Sequence, residues 1–220
     1  MAQESEQLVR ERFYEQYPPG FSVKKDLIWQ AIRKQYNEPH RHYHNFDHLA
    51  AGIVVLDTIA VAERMDDEVI FAWLMHDFFY YIGVPLGTNE ELSAMVAQKF
   101  AREIGFAFDL AMVSWINATM NHLMPQHERY PGPCARLLDA DLSILGTDSL
   151  QYNRYVTAIR AEYNVEADDP RWKQLRGIWI KSMLDREFIY HTNAARQMFE
   201  NIARYNLDTE LRRLEGDLQL

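Results

Sequence analysis

The feature that most constrains the fold is an apolar segment, residues 69–82, with a histidine and an aspartate at its centre. The segment reads VIFAWLMHDFFYYI, and apolar residues occupy every face when it is wound as a helix. Such a helix belongs in the middle of a bundle rather than at its surface. An ionised carboxylate is costly to bury there without a partner. We therefore expect Asp77, next to His76, to be paired, protonated or bound to a metal ion.

Helical periodicity recurs along the whole chain, without the alternation typical of half-buried strands. The sequence therefore predicts an all-α fold, a compact bundle of about ten helices. Prolines and glycines separate the helices, as at residues 18–20 and 131–133, and Asn45 and Asn89 are expected N-caps. The expected helices cover residues 4–17, 23–36, 45–64, 67–80, 89–104, 109–121, 134–145, 149–163, 170–186 and 193–205.

Length, charge and cysteine content limit the functional classes. A chain of 220 residues without a linker or repeat predicts one domain, 1–220, with peripheral helices at both ends. The net charge of −9 and the lack of a Lys/Arg run argue against a long nucleic acid as partner. Cys134 is the single cysteine, no apolar stretch is long enough to span a membrane, and no signal peptide precedes the first helix. We expect a cytoplasmic protein that does not bind membranes.

Two aspartates in the segment LLDADLSILG, residues 137–146, have different expected environments. They are two residues apart, so they point about 200° from each other around a helix. Asp141 falls between Leu138 and Leu145, in the apolar stripe, whereas Asp139 shares the other face with Arg136. The sequence therefore predicts that Asp141 is the buried aspartate.

Histidines are concentrated in the segment EPHRHYHNFDH, residues 38–48. Only His48 lies inside the helix that follows. With His76, Asp77 and Asp141 it supplies two imidazoles and two carboxylates from three helices. This mixed nitrogen and oxygen set suits one or two divalent ions such as Mn, Fe, Co, Ni, Zn or Mg.

The order of these four residues resembles the signature of the HD superfamily of helical, metal-dependent phosphohydrolases. The closer resemblance is to a subfamily of uncharacterised predicted HD phosphohydrolases, and it covers nearly the whole chain. It is carried by RHYHNFDH, the His-Asp dipeptide, NEELSA, INATMNH, LLDADLSILG, YVTAIRAEY and DREFIY. One departure is HDFFYYIGVPLG, where the family has a small residue soon after the dipeptide. The resemblance implies an HD-type domain with His48, His76, Asp77 and Asp141 as metal ligands.

Four further residues are candidates for the same site. His44 precedes His48 by four residues and is interpreted as a base, a phosphate donor or a ligand of a second metal. By analogy with two-metal relatives, His122 is a candidate ligand, the alternative being an imidazolium favoured by the helix dipole. Glu90 is expected to move a proton or position water. The alternative is an acidic residue of the first helical turn that only interacts favourably with the helix dipole. Arg41 is expected to hold a phosphate.

The expected function is hydrolysis of a nucleotide or another small phosphoester. Asp77 or a nearby carboxylate would orient the nucleophile, and Arg41 or His44 would offset the developing charge. Two alternatives remain: a di-iron oxygenase-like protein, and a non-catalytic HD protein that binds a nucleotide or other ligand. The expected partner is a small phosphorylated substrate, and the sequence leaves the oligomeric state open.

Overall fold

The computed structural model describes residues 2–15, 22–59, 66–106 and 109–216. Within these ranges the chain forms ten α-helices, one short 3-10 helix and no strand, which confirms the all-α prediction. The expected break at residues 18–20 lies outside the described residues. The expected helix end near residue 64 is wrong, because α3 ends at Thr58 with Ile59 as its C-cap, and the expected break at residues 131–133 is wrong, because α7 begins at Pro131. The helices are α1 (Ala2–Glu15), α2 (Ser22–Tyr36), α3 (Phe46–Thr58), α4 (Asp66–Met75), α5 (Thr88–Ile104), α6 (Asp109–Ala118), α7 (Pro131–Leu142), α8 (Ser149–Tyr163), α9 (Pro170–Leu184) and α10 (Asn193–Glu215), with the 3-10 helix over Ser143–Gly146.

The chain forms two compact units, Met1–Asp141 and Leu142–Leu220. In the first unit, α4 is the central helix, because every residue from Val69 to Met75 is buried. It packs against α3, α5 and α6. The expectation of a central helix here is confirmed.

A close contact between α3 and α4 fixes the base of the candidate site. The indole N–H of Trp73 on α4 donates a 2.9 Å hydrogen bond to the carbonyl oxygen of Leu49 on α3. A Cβ atom at Gly52 would lie 1.9 Å from the Trp73 ring, so only glycine fits at this position. The two helices therefore approach each other closely next to His48, which precedes Leu49, and His76, which follows Trp73 by three residues.

The predicted end of α4 and one of the two predicted N-caps differ from the structure. Helix α4 ends at Met75, so the His-Asp dipeptide lies in the turn after the helix and not inside it. Asn45 is the N-cap of α3, as expected, and its side chain accepts from the amide of Asp47 at 2.9 Å. Asn89 is not an N-cap, because α5 begins at Thr88 after a glycine cap.

The second unit contains α8, α9 and α10 together with the 3-10 helix. Helices α9 and α10 pack against each other around a buried ion pair between Arg176 and Glu210, with a nitrogen–oxygen distance of 3.0 Å. The 3-10 helix lies against α10 at Gly146, where a Cβ atom would be 2.5 Å from that of Phe199. Helix α10 continues to Glu215, ten residues beyond its expected end.

Among the described residues, no helix combines the length and apolar character needed to cross a membrane.

Candidate metal centre

Two histidines from neighbouring helices point the same ring nitrogen at one place. His48 lies in the first turn of α3, His76 directly follows α4, and their Nε2 atoms are 3.3 Å apart. The Nδ1 atom of His76 is 2.6 Å from the carbonyl oxygen of Trp73, which only accepts hydrogen bonds. Nδ1 therefore carries a proton, and Nε2 is the ring nitrogen that faces the cluster. Nδ1 of His48 is held by the Tyr43 hydroxyl at 3.1 Å.

Two carboxylates approach these nitrogens. Oδ2 of Asp77 lies 3.0 Å from Nε2 of His76 and 3.7 Å from Nε2 of His48. Oδ1 of Asp141 lies 3.6 Å and 3.4 Å from the same two atoms. Ligand bonds of about 2.1 Å place neighbouring donor atoms roughly 3.0 Å apart at right angles and roughly 3.4 Å apart in a tetrahedron. The measured separations match those edges, and His48, His76 and Asp141 form a group that could hold a metal ion.

One oxygen of this cluster lacks a donor. Oδ2 of Asp77 is buried and accepts no hydrogen bond of good geometry from the described residues, although it lies 3.0 Å from Nε2 of His76. A buried carboxylate oxygen without a donor is strongly unfavourable. A divalent cation at the meeting point of the two imidazoles would satisfy this oxygen, so the donor set fits a metal ion.

The charges of the cluster also call for a cation. Burial lowers the pKa of His48 to about 4, so this ring is neutral at pH 7. Burial also acts to lower the pKa of His76, but the carboxylates of Asp77 and Asp141 outweigh it and raise this pKa well above its usual value. Conversely, burial tends to raise the pKa of both aspartates, and the charge of His76 lowers both. The positive charge of the His76 imidazolium thus offsets the negative charges of the two partly buried aspartates, and a bound divalent cation would take over that part.

The two additional histidines lie at opposite edges of the cluster. Nε2 of His122 is 2.8 Å from Oδ2 of Asp141, the oxygen not directed at His48. His122 follows the end of α6 and has a φ of 55°, a left-handed conformation that is uncommon for residues other than glycine. On the other side, Nε2 of His44 is 3.9 Å from Oδ2 of Asp77. The structure therefore brings together all four histidines expected at the site.

Arg41 is buried next to the turn that carries Asp77. Its side chain is 0% exposed. Nε donates to the carboxylate of Glu38 at 3.1 Å. Nη1 donates to the carbonyl oxygens of His44 at 3.2 Å and Asp77 at 2.7 Å, and Nη2 donates to that of Phe78 at 3.0 Å. Through these hydrogen bonds Arg41 holds the turn that carries Asp77, and its contact with a phosphate stays a prediction.

Glu90 lies partly buried in the first turn of α5. The charges of the cluster shift its pKa. Burial raises its pKa, the charge of Asp77 raises it further, and His122 and His76 act in the opposite direction. Its neighbour Glu91 is exposed. Glu90 therefore combines proximity to the cluster with a higher affinity for its proton than an exposed glutamate.

The expected burial of the two aspartates on α7 is wrong for Asp139. Its exposed fraction is 0%, whereas the Asp141 side chain is 14% exposed. Arg136, expected on the same outer face as Asp139, is also buried and pairs with Asp66 at 2.5 Å. Helix α7 is covered on both faces, so the apolar stripe did not distinguish the buried side. Asp141, and not Asp139, belongs to the group of candidate ligands.

Sequence reasoning missed one residue of the site. Trp73 stacks on the ring of His76, with ring centroids 4.4 Å apart and an interplanar angle of 17°. Its carbonyl oxygen also fixes the orientation of that ring. The signal available in the sequence was a tryptophan three residues before the histidine, one helical turn away.

No family model, curated protein or solved structure matches the chain. Membership of the HD superfamily therefore remains a prediction from the motifs.

Proposed function

We propose that the protein is a metal-dependent phosphohydrolase that cleaves a nucleotide or another small phosphoester. The observation that supports this proposal most strongly is the convergence of His48, His76 and Asp141 into a group that could hold a metal ion, with Asp77 beside the two histidines at 3.0 Å and 3.7 Å. A divalent cation, when bound there, lowers the pKa of a water molecule and polarises a phosphoryl oxygen. In the net reaction, water adds to phosphorus, the ester P–O bond breaks, and the organic group leaves as an alcohol.

The residues around the cluster have the properties that this reaction needs. Asp77 offers its second carboxylate oxygen to accept a proton from the attacking water. Glu90, with its raised pKa, holds a proton for the leaving oxygen. His44 lies at the Asp77 edge, where an imidazolium would offset the negative charge that develops on the phosphoryl oxygens. Arg41 acts indirectly, by holding the turn of Asp77.

The proposal is tested by assaying the purified chain with Mn²⁺, Fe²⁺, Co²⁺, Ni²⁺, Zn²⁺ or Mg²⁺ against phosphomonoesters, phosphodiesters and nucleotides. We expect metal-stimulated hydrolysis that is lost in His76→Gln and kept in His42→Gln, an exposed histidine of the same loop outside the cluster. Stable metal binding without hydrolysis of any ester would contradict the proposal. Two irons per chain with a visible oxo-bridge absorption would instead favour the oxygenase alternative.

A further inference from the structure

Two of the chain segments that border the candidate metal centre expose apolar side chains. The first runs from Asp77 to Glu90, and the second, residues 119–124, contains His122. Leu86 on the first is 83% exposed and Leu123 on the second is 52% exposed. We define the apolar rim as the six exposed apolar residues of these segments, Tyr81, Ile82, Val84, Leu86, Met120 and Leu123.

The rim is held in place by contacts within and between its segments. The side chain of Asn89 accepts from the amide of Tyr81 at 2.9 Å and donates to its carbonyl oxygen at 3.1 Å, which closes the first segment into a loop. A Cβ atom at Gly87 would lie 2.9 Å from the sulfur of Met120, so the two segments touch. His122, between Met120 and Leu123, binds Asp141. Each segment of the rim therefore also carries a residue of the cluster, Asp77 on the first and His122 on the second.

The rim has little positive charge to offer a substrate. Residues 77–91 and 117–126 contain no lysine or arginine, and they carry the acidic side chains of Asp77, Glu90 and Glu91. Arg41 is buried and bound to carbonyl oxygens. A polyphosphate chain needs several cationic donors to offset its charge. This side of the site is therefore suited to an uncharged organic group, next to one phosphate group held at the cluster between Asp77 and His44.

We propose that the apolar rim binds the organic group of the substrate, which is a phosphate monoester of an alkyl or aryl group and not a nucleoside polyphosphate. Exposed apolar side chains that border a polar site are typical of ligand-binding surfaces. The inference rests on the proposed function for the position of the phosphate. It specifies the substrate class within that function.

The test measures binding, so that it does not depend on turnover. Ethylphosphonate and hexylphosphonate are titrated calorimetrically into the metal-loaded protein. Each methylene that becomes fully buried strengthens binding by roughly four-fold, so even partial burial should make hexylphosphonate bind at least about ten-fold more tightly. The double variant Leu86→Ser, Leu123→Ser should bring this ratio towards unity. The matched variant Leu27→Ser, Leu110→Ser, with exposed leucines on α2 and α6 outside the rim, should keep it.

Equal affinities for the two phosphonates, no binding of either, or tighter binding of inorganic triphosphate than of hexylphosphonate would overturn the inference. Hydrolysis of phosphoesters without any preference for the longer chain would overturn it while leaving the proposed function intact. A chain-length preference in phosphonate binding without hydrolysis of any ester would support the rim and contradict the proposed function.

Discussion

The guanidinium of Arg41 donates a 2.7 Å hydrogen bond to the carbonyl oxygen of Asp77, which lies 36 residues further along the chain. Its other terminal nitrogen donates to the next carbonyl oxygen, that of Phe78. A buried arginine thus fixes the backbone on which a candidate ligand is carried. Supporting residues of this kind commonly change metal affinity by about 10–100-fold when they are replaced.

Arg41→Lys should therefore weaken metal binding by about 10–100-fold. Lysine cannot bridge three carbonyl oxygens with a planar group, and each buried carbonyl left without a donor costs about 1–3 kcal/mol of unfolding free energy. Isothermal titration with the metal and denaturant unfolding measure both effects. Arg33→Lys, at an exposed arginine, is the control. A raised KM with unchanged metal affinity would show instead that Arg41 binds the phosphate.

His122→Asn should leave the number of bound ions unchanged and lower metal affinity. The reason is that His122 contacts the Asp141 oxygen directed away from His48, and so acts through the orientation of that carboxylate. Elemental analysis of the dialysed protein gives the ion count. A fall from two ions to one in this variant would make His122 a ligand of a second metal.

Glu90→Gln should reduce kcat by about 10²-fold or more without changing metal content. A proton donor is active only while protonated, and burial followed by the charge of Asp77 raises the pKa of Glu90. Wild-type kcat should therefore fall as pH rises through that pKa, and this basic limb should be absent from the variant. Glu91→Gln, at the exposed neighbour, should keep the wild-type profile. An unchanged basic limb in Glu90→Gln would assign the proton to another group.

Gly52→Ala should destabilise the protein by about 1–3 kcal/mol, because the added methyl group would meet the Trp73 ring at 1.9 Å. Gly177→Ala, in α9, should have the opposite sign. There the nearest atom would be 3.8 Å away, and alanine favours a helix interior by about 0.5–1 kcal/mol. Calorimetric unfolding of both variants is the measurement. Equal stability of Gly52→Ala and wild type would show that α3 and α4 are less tightly packed than described.

Local patterns in the sequence were sufficient to predict the central helix and to distinguish the two aspartates of α7. The apolar run of residues 69–82 indicated a central helix, and α4 is buried throughout. The angle between the two aspartates of α7 predicted that their environments differ, and only Asp141 belongs to the candidate metal group, although Asp139 is the more buried of the two. Both inferences depend on the periodicity of a single helix, which is a property of neighbouring residues.

Features that depend on distant parts of the chain were not predictable in this way. The acceptors of Arg41 are backbone carbonyls, which carry no side-chain signal in the sequence. Asn89 pairs with the backbone of Tyr81 instead of capping a helix. Asp139 is completely buried because other parts of the chain cover both faces of α7. The apolar stripe in the sequence of a helix indicates only one buried face.

The most direct test of the account is the metal content of folded wild type, Asp141→Asn and Asp139→Asn after equilibrium dialysis against Mn²⁺ or Zn²⁺. We predict at least about one ion per chain in wild type and in Asp139→Asn, and a nearly complete loss in Asp141→Asn. Folded wild type that retains no ion, or loss of the ion in Asp139→Asn alone, would contradict the metal centre.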